Sequence, residues 1–178
     1  MARHGRTADN AEGRILGRGD PPLDAVGERQ AHELAASLFS RPPAAIWASP
    51  LRRARATAAI VAEKTALEPV VLADLIESKR GAWEGRLLAD IRAADPSGYA
   101  AFLRGEDDFA FPGGESVAEQ RKRAWSAISR IAEGAMPALA VAHAGTIRSL
   151  LSTAGVYLAE ADLPHGRIAL AVACPEDG

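Results

Sequence analysis

Short apolar runs along the chain alternate with longer segments in which apolar residues recur every three or four positions. Three such runs predict buried or extended strands, at 44–48, 69–76 and 137–142. Segments with helical spacing cover 24–39, 51–66, 115–133 and the residues that follow Ala144. A last apolar run, 167–173, predicts a closing strand. This alternation is typical of an α/β domain with a mostly parallel sheet that helices flank on both faces.

Local signals refine these helices. Asp24 can cap the first of them, whose apolar face includes Leu34 and extends to Phe39. Ser49 is the predicted cap of the second helix, with Pro50 in the first turn, where a missing N–H costs little. The apolar face of the third helix is predicted to contain Val117, Trp125, Ile128 and Ile131.

Residues that can carry out chemistry stand at three points where a strand is expected to pass into a helix. His4, the stretch Ser49–Arg53 and His143 each stand where a strand passes into a helix. In open α/β sheets, ligands bind beyond the carboxyl ends of the strands, so these distant segments are expected to meet at one edge. Helix N-termini at this edge present N–H groups and favour an anion.

Composition sets the limits of the interpretation. At 178 residues, 48% hydrophobic and 25% charged, the chain predicts one domain over residues 1–178. A net charge of −2 gives no general attraction to nucleic acid or to an anionic membrane. The single cysteine, Cys174, cannot form an internal disulfide, and no apolar stretch reaches the length of a membrane span. These features predict a soluble cytoplasmic protein.

The side chains at this edge favour phosphate as the anion. Arg3 and Arg53 offer planar guanidinium groups that match phosphate oxygens, Asn10 adds an uncharged donor and His143 can donate from its imidazole. Cationic side chains repel a metal ion, and no cluster of carboxylates or thiolates completes a coordination shell. The sequence therefore predicts phosphoryl chemistry with no metal and no cofactor.

Each feature taken alone also has a simpler interpretation. Arg3 and His4 can be a polar chain end, the Ser49–Arg53 stretch a solvated helix start, and His143 a structural core histidine. Glu77 alone is typical of a solvated acid. His32 and His165 are interpreted as surface or structural residues. The order and spacing of the whole set favour the chemical interpretation.

In that order and spacing the chain resembles the histidine phosphatase superfamily, which has the phosphoglycerate-mutase-like fold. The resemblance rests on five blocks in the family's order, between Arg3 and Leu151: ARHGRTADNAEGRILGRGDPPLDAVGERQA, SPLRRARATA, LIESKRGAWEG, FPGGES and AHAGTIRSLL. It implies that His4 is the nucleophile that becomes phosphohistidine and that Glu77 is the general acid and base. It further implies a phosphate pocket made by Arg3, Asn10, Arg53, His143 and the backbone N–H of Ala144, with the N–H of Gly17 near the substrate.

Two positions depart from the family pattern. Members carry several apolar residues before the Arg-His pair, which form the first strand, whereas only Met1 and Ala2 precede it here. The first strand is therefore expected to be shortened, which would displace Arg3 and His4 and suppress catalysis. Arg6 stands where acidic or neutral residues are more common, and adds positive charge near the mouth of the site or faces solvent.

The resemblance implies a metal-independent phosphomonoesterase that hydrolyses a small phosphorylated metabolite, similar to broad-specificity and α-ribazole-phosphate phosphatases. Mutases of the family carry insertions that exclude water, and the short segment between Glu77 and Gly113 favours hydrolysis. A phosphoglycerate-type mutase and a phosphate-binding module without turnover are the two alternatives. The region 87–111 is interpreted as a partly mobile lid. The oligomeric state is left open, with a homodimer as one alternative.

Overall fold

A computed structural model describes residues 1–154 and 163–167. Its strands are β1 (Ala2–Arg3), β2 (Ala45–Ala48), β3 (Val70–Val71) and β4 (Ala138–Ala142). Its helices are α1 (Ala8–Glu12), α2 (Ala25–Ser37), α3 (Arg52–Thr65), α4 (Leu88–Ala94), α5 (Pro96–Arg104), α6 (Val117–Ala132) and α7 (Ala144–Leu151). Short 3-10 turns cover Ala73–Leu75, Gly81–Trp83 and Ser152–Ala154.

All four strands run parallel in the order β1-β4-β2-β3. Alternate residues of β4 face opposite sides of this sheet. Leu139 and Val141 pack in one core with residues of α2 and α3, while Ala140 and Ala142 pack in a second core with residues of α6. The sheet is thus covered by helices on both faces, and the predicted α/β architecture is confirmed.

The first strand is short, but it holds its place in the sheet. Ala2 and Arg3 pair with Val141 and Ala142 of β4, and the N–H of His4 donates to the carbonyl of Ala142 at 3.0 Å. The backbone of Arg3 also bonds to residues 166 and 167 on its other side. Backbone hydrogen bonds on both sides of the short strand therefore hold Arg3 and His4.

Several predicted boundaries and faces differ in detail. Asp24 caps α2 as predicted, since its side chain accepts from the N–H of Gly27, but Phe39 lies beyond the helix and is 91% exposed. Trp125 belongs to the predicted apolar face of α6 but is 42% exposed. Apolar spacing shows which residues share a face, but it does not show what covers each of them. The N-cap of α3 is Leu51 rather than Ser49, whose hydroxyl accepts from the N–H of Leu51 at 3.3 Å and also contacts the ring of His143.

The region predicted as a lid is packed against the rest of the chain. It forms α4 and α5, and its aromatic side chains join Ile15 and Trp83 in a third core cluster: Ile91, Phe102 and Phe111 are buried there. The predicted strand 69–76 reduces to β3 and a 3-10 turn. The predicted closing strand, 167–173, lies outside the described residues from position 168 onward. Across residues 1–154 and 163–167, no helix combines the length and apolar character needed to span a bilayer.

Candidate active site

Three distant segments meet at the carboxyl edge of the sheet. His4 directly follows β1, Arg53 lies in the first turn of α3 after β2, and His143 directly follows β4. The ring centroids of His4 and His143 are 5.1 Å apart, and Nε of Arg53 lies 3.2 Å from Nε2 of His4. All three side chains are buried, with at most 3% of each residue exposed. The structure therefore brings these sequence-predicted residues together.

Hydrogen bonding defines the tautomer of His4. Its Nδ1 lies 2.7 Å from the carbonyl oxygen of Gly5, an acceptor, so Nδ1 carries the proton. Its Nε2 then keeps a lone pair, which accepts from the guanidinium of Arg53. Burial, followed by the charges of His143, Arg53 and Arg3, lowers the pKa of His4 well below its ordinary value. His4 is thus a neutral imidazole at neutral pH, with a basic nitrogen at the site.

The two arginines are held by backbone carbonyls. Arg53 donates to the carbonyls of Gly17 at 3.0 Å and Gly19 at 2.6 Å, and Arg3 donates to Leu163 at 2.8 Å. Gly17 has a φ of 53°, and a Cβ there would lie 2.3 Å from the carboxylate of Glu84. Only glycine suits this turn, which orients the guanidinium of Arg53.

Arg3, His4 and Arg53 border one small cleft. Its wall consists of Arg3, His4, Asn10, Ile15, Leu16, Gly17, Arg53, Glu77, Arg80 and Ala144. The Oδ1 atom of Asn10 accepts from the N–H and the hydroxyl of Thr7, which leaves the amide NH₂ of Asn10 as the group that can donate to a ligand. Three guanidinium groups face one carboxylate, so the cleft has a net positive charge that suits an oxyanion.

Glu77 is the only carboxylate among the described residues that line this cleft. It is 5% exposed and accepts hydrogen bonds from the N–H groups of Ser78 and Gly145 and from the amide of Gln120. Burial raises its pKa, but Arg80, these N–H groups and Arg53 outweigh burial and lower the pKa to about 2. In the unliganded structure, the Glu77 carboxylate is therefore ionised at neutral pH.

Gly145, in the first turn of α7, touches the Glu77 carboxylate. A Cβ at this position would lie 2.3 Å from Oε1 of Glu77 and 2.8 Å from the guanidinium of Arg80. At an open helical site, alanine is more stable than glycine by roughly 0.5–1 kcal/mol, but overpacking costs about 1–3 kcal/mol. We expect Gly145→Ala to lower the free energy of unfolding in urea and to slow turnover. An unchanged or increased stability would contradict this packing.

His143 is entirely buried at the N-cap of α7. Its Nε2 lies 2.7 Å from the hydroxyl of Ser49, and its Nδ1 has no hydrogen-bond partner among the described residues. Burial, then the charges of Arg53 and Arg3, lowers its pKa well below the ordinary value. His143 is therefore a neutral ring in the unliganded structure.

The two buried histidines predict a pH dependence of stability. His4 and His143 stay neutral in the folded chain but bind protons in the unfolded chain below about pH 6.5. The unfolded state then binds more protons, so stability falls as pH falls, by about 1.4 kcal/mol per pH unit for each histidine. Urea unfolding at pH 8, 6.5, 5.75 and 5 measures this slope. Burial also lowers the pKa of His165, to about 3, so that this residue adds a third contribution of the same sign. His143→Gln should therefore reduce the total slope by about a third, and a flat profile between pH 6.5 and 5 would contradict the prediction.

Three residues near the site were not identified from the sequence as part of it. Arg80 lines the cleft beside Glu77, Gln120 donates to Glu77 at 2.8 Å, and the ring of His165 lies 5.5 Å from that of His4. Gln120 carried a signal, since it is a polar residue on the otherwise apolar face that includes Val117 and Ala124. His165 was interpreted as a surface or structural residue, whereas His32 is exposed as interpreted.

A neutral imidazole among guanidinium groups, at the carboxyl edge of a parallel sheet, is typical of an α/β enzyme that binds a phosphate group next to a histidine. A family comparison agrees with that class. The profile of the histidine phosphatase superfamily (branch 1) matches residues 1–172, and the chain belongs to this superfamily.

Similar proteins include both phosphatases and mutases. A probable phosphoglycerate mutase, GpmB of Yersinia enterocolitica, is 35% identical over 156 residues, which are 86% of this chain and 72% of the relative. A metal-independent phosphoserine phosphatase of Arabidopsis thaliana is 34% identical over 84% of this chain and 65% of the relative. Mycobacterial relatives that are 38% identical are longer, and the match covers 43% of their length.

A solved structure agrees with the fold. A mycobacterial glucosyl-3-phosphoglycerate phosphatase, in a complex with VO3, superposes with a TM-score of 0.76 at 32% identity. The match covers 86% of this chain and 79% of that one.

Proposed function

We propose that the chain hydrolyses phosphomonoesters of small metabolites, without a metal, through a phosphohistidine at His4. The observation that carries the proposal is the arrangement at Nε2 of His4. This nitrogen has a lone pair because Nδ1 donates to the carbonyl of Gly5, and it lies beside the guanidinium of Arg53 in the cleft that Arg3 also lines. A phosphoryl group held by these arginines places phosphorus within reach of the nitrogen.

The first half of the reaction transfers the phosphoryl group to His4. Nε2 attacks phosphorus as the ester P–O bond breaks, and negative charge spreads over three equatorial oxygens. Arg3, Arg53 and the amide of Asn10 stabilise that charge, together with the N–H of Ala144 at the start of α7. The dianion also raises the pKa of His143, so that this ring becomes a further donor.

Glu77 is the acid in the first half of the reaction and the base in the second. In its protonated form it donates to the alkoxide that leaves, and it is then a carboxylate. Water attacks the phosphohistidine as the P–N bond breaks, and the proton of that water passes to Glu77. Inorganic phosphate and the original imidazole of His4 are regenerated, so the cycle balances without a cofactor.

The relatives support both hydrolysis and transfer between substrate positions. The similar proteins include a phosphoserine phosphatase and a glucosyl-3-phosphoglycerate phosphatase, while GpmB of Yersinia enterocolitica is a probable mutase. Hydrolysis is favoured for this chain because the segment between Glu77 and Gly113 carries no long insertion that would exclude water. A phosphorylated metabolite is the expected partner.

The deciding experiment combines turnover with trapping of the intermediate. The chain is incubated with p-nitrophenyl phosphate and a panel of phosphorylated metabolites in the presence of a chelator, and acid-labile phosphate on the protein is measured after rapid quenching. Release of phosphate with a trapped phosphohistidine supports the proposal. Isomerisation of phosphoglycerate that depends on a bisphosphorylated primer would instead show a mutase, and phosphate binding without release would show a binding module.

A further inference from the structure

Arg80 is a buried cation that the reaction described above does not use. Only 3% of the residue is exposed, and its guanidinium lies over the rings of Phe102 and Phe111 at 5.0 and 5.2 Å from their centroids. Nη2 of Arg80 is 3.4 Å from Oε2 of Glu77, and Nε donates to the hydroxyl of Ser78 at 3.2 Å. A charge in so apolar a setting is costly unless it has a partner. Its position suggests that this partner is the acid-base residue.

We propose that Arg80 is a positioning residue, whose guanidinium holds Glu77 oriented and ionised until a phosphate dianion enters the cleft and draws a proton to Glu77. This role rests on the proposed phosphatase function. Arg80 acts through Glu77, which precedes it by three positions in the same loop. Glu77 must be protonated for the first half of the cycle and ionised for the second, so a switch between these states serves both.

The balance of charge in the cleft supports this switch. Three guanidinium groups, of Arg3, Arg53 and Arg80, line the cleft with one carboxylate, and His4 is neutral. With Glu77 ionised, these groups give the cleft a charge of +2. One bound phosphate dianion cancels that excess, which favours the ionised form of Glu77 as long as the cleft is empty. Once the dianion is bound, it competes with Glu77 for the field of Arg53 and Arg80 and repels the carboxylate, which then takes one proton from solvent.

Other groups around Glu77 hold it without a comparable charge. Gln120 of α6 and the N–H groups of Ser78 and Gly145 are neutral donors. The remaining charged groups act at a distance or on the backbone: Arg53 of α3 is the second cation of the cleft, Arg18 donates to the carbonyl of Glu77, and Arg123 of α6 donates to the carbonyl of Ile76 and pairs with Glu115. Arg80 is thus the cation in direct contact with the Glu77 carboxylate among the described residues.

Two substitutions separate charge from packing. Arg80→Met keeps an unbranched side chain of similar length between the aromatic rings but removes the charge, and Arg80→Lys keeps the charge. Arg29→Met, on the solvent side of α2, is the matched control. Rates are measured against pH with β-glycerol phosphate, whose alkoxide needs a proton, and with p-nitrophenyl phosphate, whose phenolate leaves without one.

We expect Arg80→Met to move the alkaline limb of the β-glycerol phosphate profile upward by about one pH unit or more, since an adjacent guanidinium lowers a carboxyl pKa by about 1–3 units. Arg80→Lys should largely restore the limb, and the p-nitrophenyl phosphate profile should move little. An unmoved limb in a folded Arg80→Met chain would overturn the proposal. A higher KM for O-phosphoserine alone would also overturn it, because Arg80 would then bind the carboxylate of the substrate.

A second measurement is independent of turnover. The carboxyl ¹³C shift of Glu77, assigned with Glu77→Gln, is followed with pH in the presence and absence of inorganic phosphate. We expect phosphate to protonate Glu77 at a pH where the unliganded chain keeps it ionised, and Arg80→Met to raise the midpoint in the unliganded chain. If the Glu77 carboxyl titrates with the same midpoint in Arg80→Met and in the unaltered chain, the role of Arg80 is rejected even if the enzyme hydrolyses esters. If the midpoints shift as expected but the unaltered chain hydrolyses no ester, only the proposed function is rejected.

Discussion

His4→Ala is expected to slow the release of p-nitrophenol from p-nitrophenyl phosphate by about 10⁴-fold or more. Removal of a nucleophile costs this much because the remaining groups still bind the substrate but cannot form the covalent intermediate. Acid-labile phosphate on the protein should vanish together with turnover. Steady-state rates and rapid-quench labelling measure the two effects on the same samples.

His32→Ala is the matched control for this substitution, because His32 is exposed on α2 and lies outside the cleft. It should retain full activity. Binding of inorganic phosphate by His4→Ala shows that the arginine pocket persists without the imidazole. Turnover within tenfold of that of the unaltered chain would remove His4 from the chemistry, and labelling that persists would move the nucleophile to another residue.

Glu77→Gln is expected to slow hydrolysis of an alkyl ester such as β-glycerol phosphate by about 10² to 10⁴-fold, the usual contribution of a positioned proton donor. The rate with p-nitrophenyl phosphate should fall much less in the labelling step, since that leaving group departs without a proton. The contrast between the two esters, followed by burst kinetics, separates loss of the acid from a general loss of structure.

Glu63→Gln, at an exposed position of α3, controls for the loss of one negative charge and should behave as the unaltered chain. Urea unfolding of Glu77→Gln checks the fold, because the new amide faces the donors of Gly145 and Gln120. An equal loss of labelling rate with both esters would contradict a role for Glu77 in proton transfer.

The location of the site followed from the order of elements in the sequence. His4 and His143 directly follow β1 and β4, Arg53 lies in the first turn of the helix after β2, and the carboxyl ends of parallel strands meet at one edge of a sheet. The order of strands and helices in the sequence was therefore enough to predict that residues more than 40 positions apart lie close together. Ala144, which begins α7 after β4, lines the same cleft, as does Gly17 in the loop between α1 and α2.

Patterns of spacing were less informative about faces and boundaries. Phe39 and Trp125 continue the apolar periodicity of their helices, yet both are exposed among the described residues. The segment 87–111 has a mixed composition that suggested a lid, but Phe102 and Phe111 pack against Trp83 in a core of their own. Periodicity records which residues share a face, whereas burial depends on what the rest of the chain places against that face.

What the sequence by itself determined is the α/β architecture and the edge of the sheet at which the candidate site residues meet. The tertiary structure decided the charge states and the partners: a neutral His143, an ionised Glu77, and the contacts that Arg80 and Gln120 make with that carboxylate. The physical reason is that residue type and strand order are local properties of a chain. A pKa and a hydrogen bond depend on burial and on charges that arrive from distant segments only when the chain is folded.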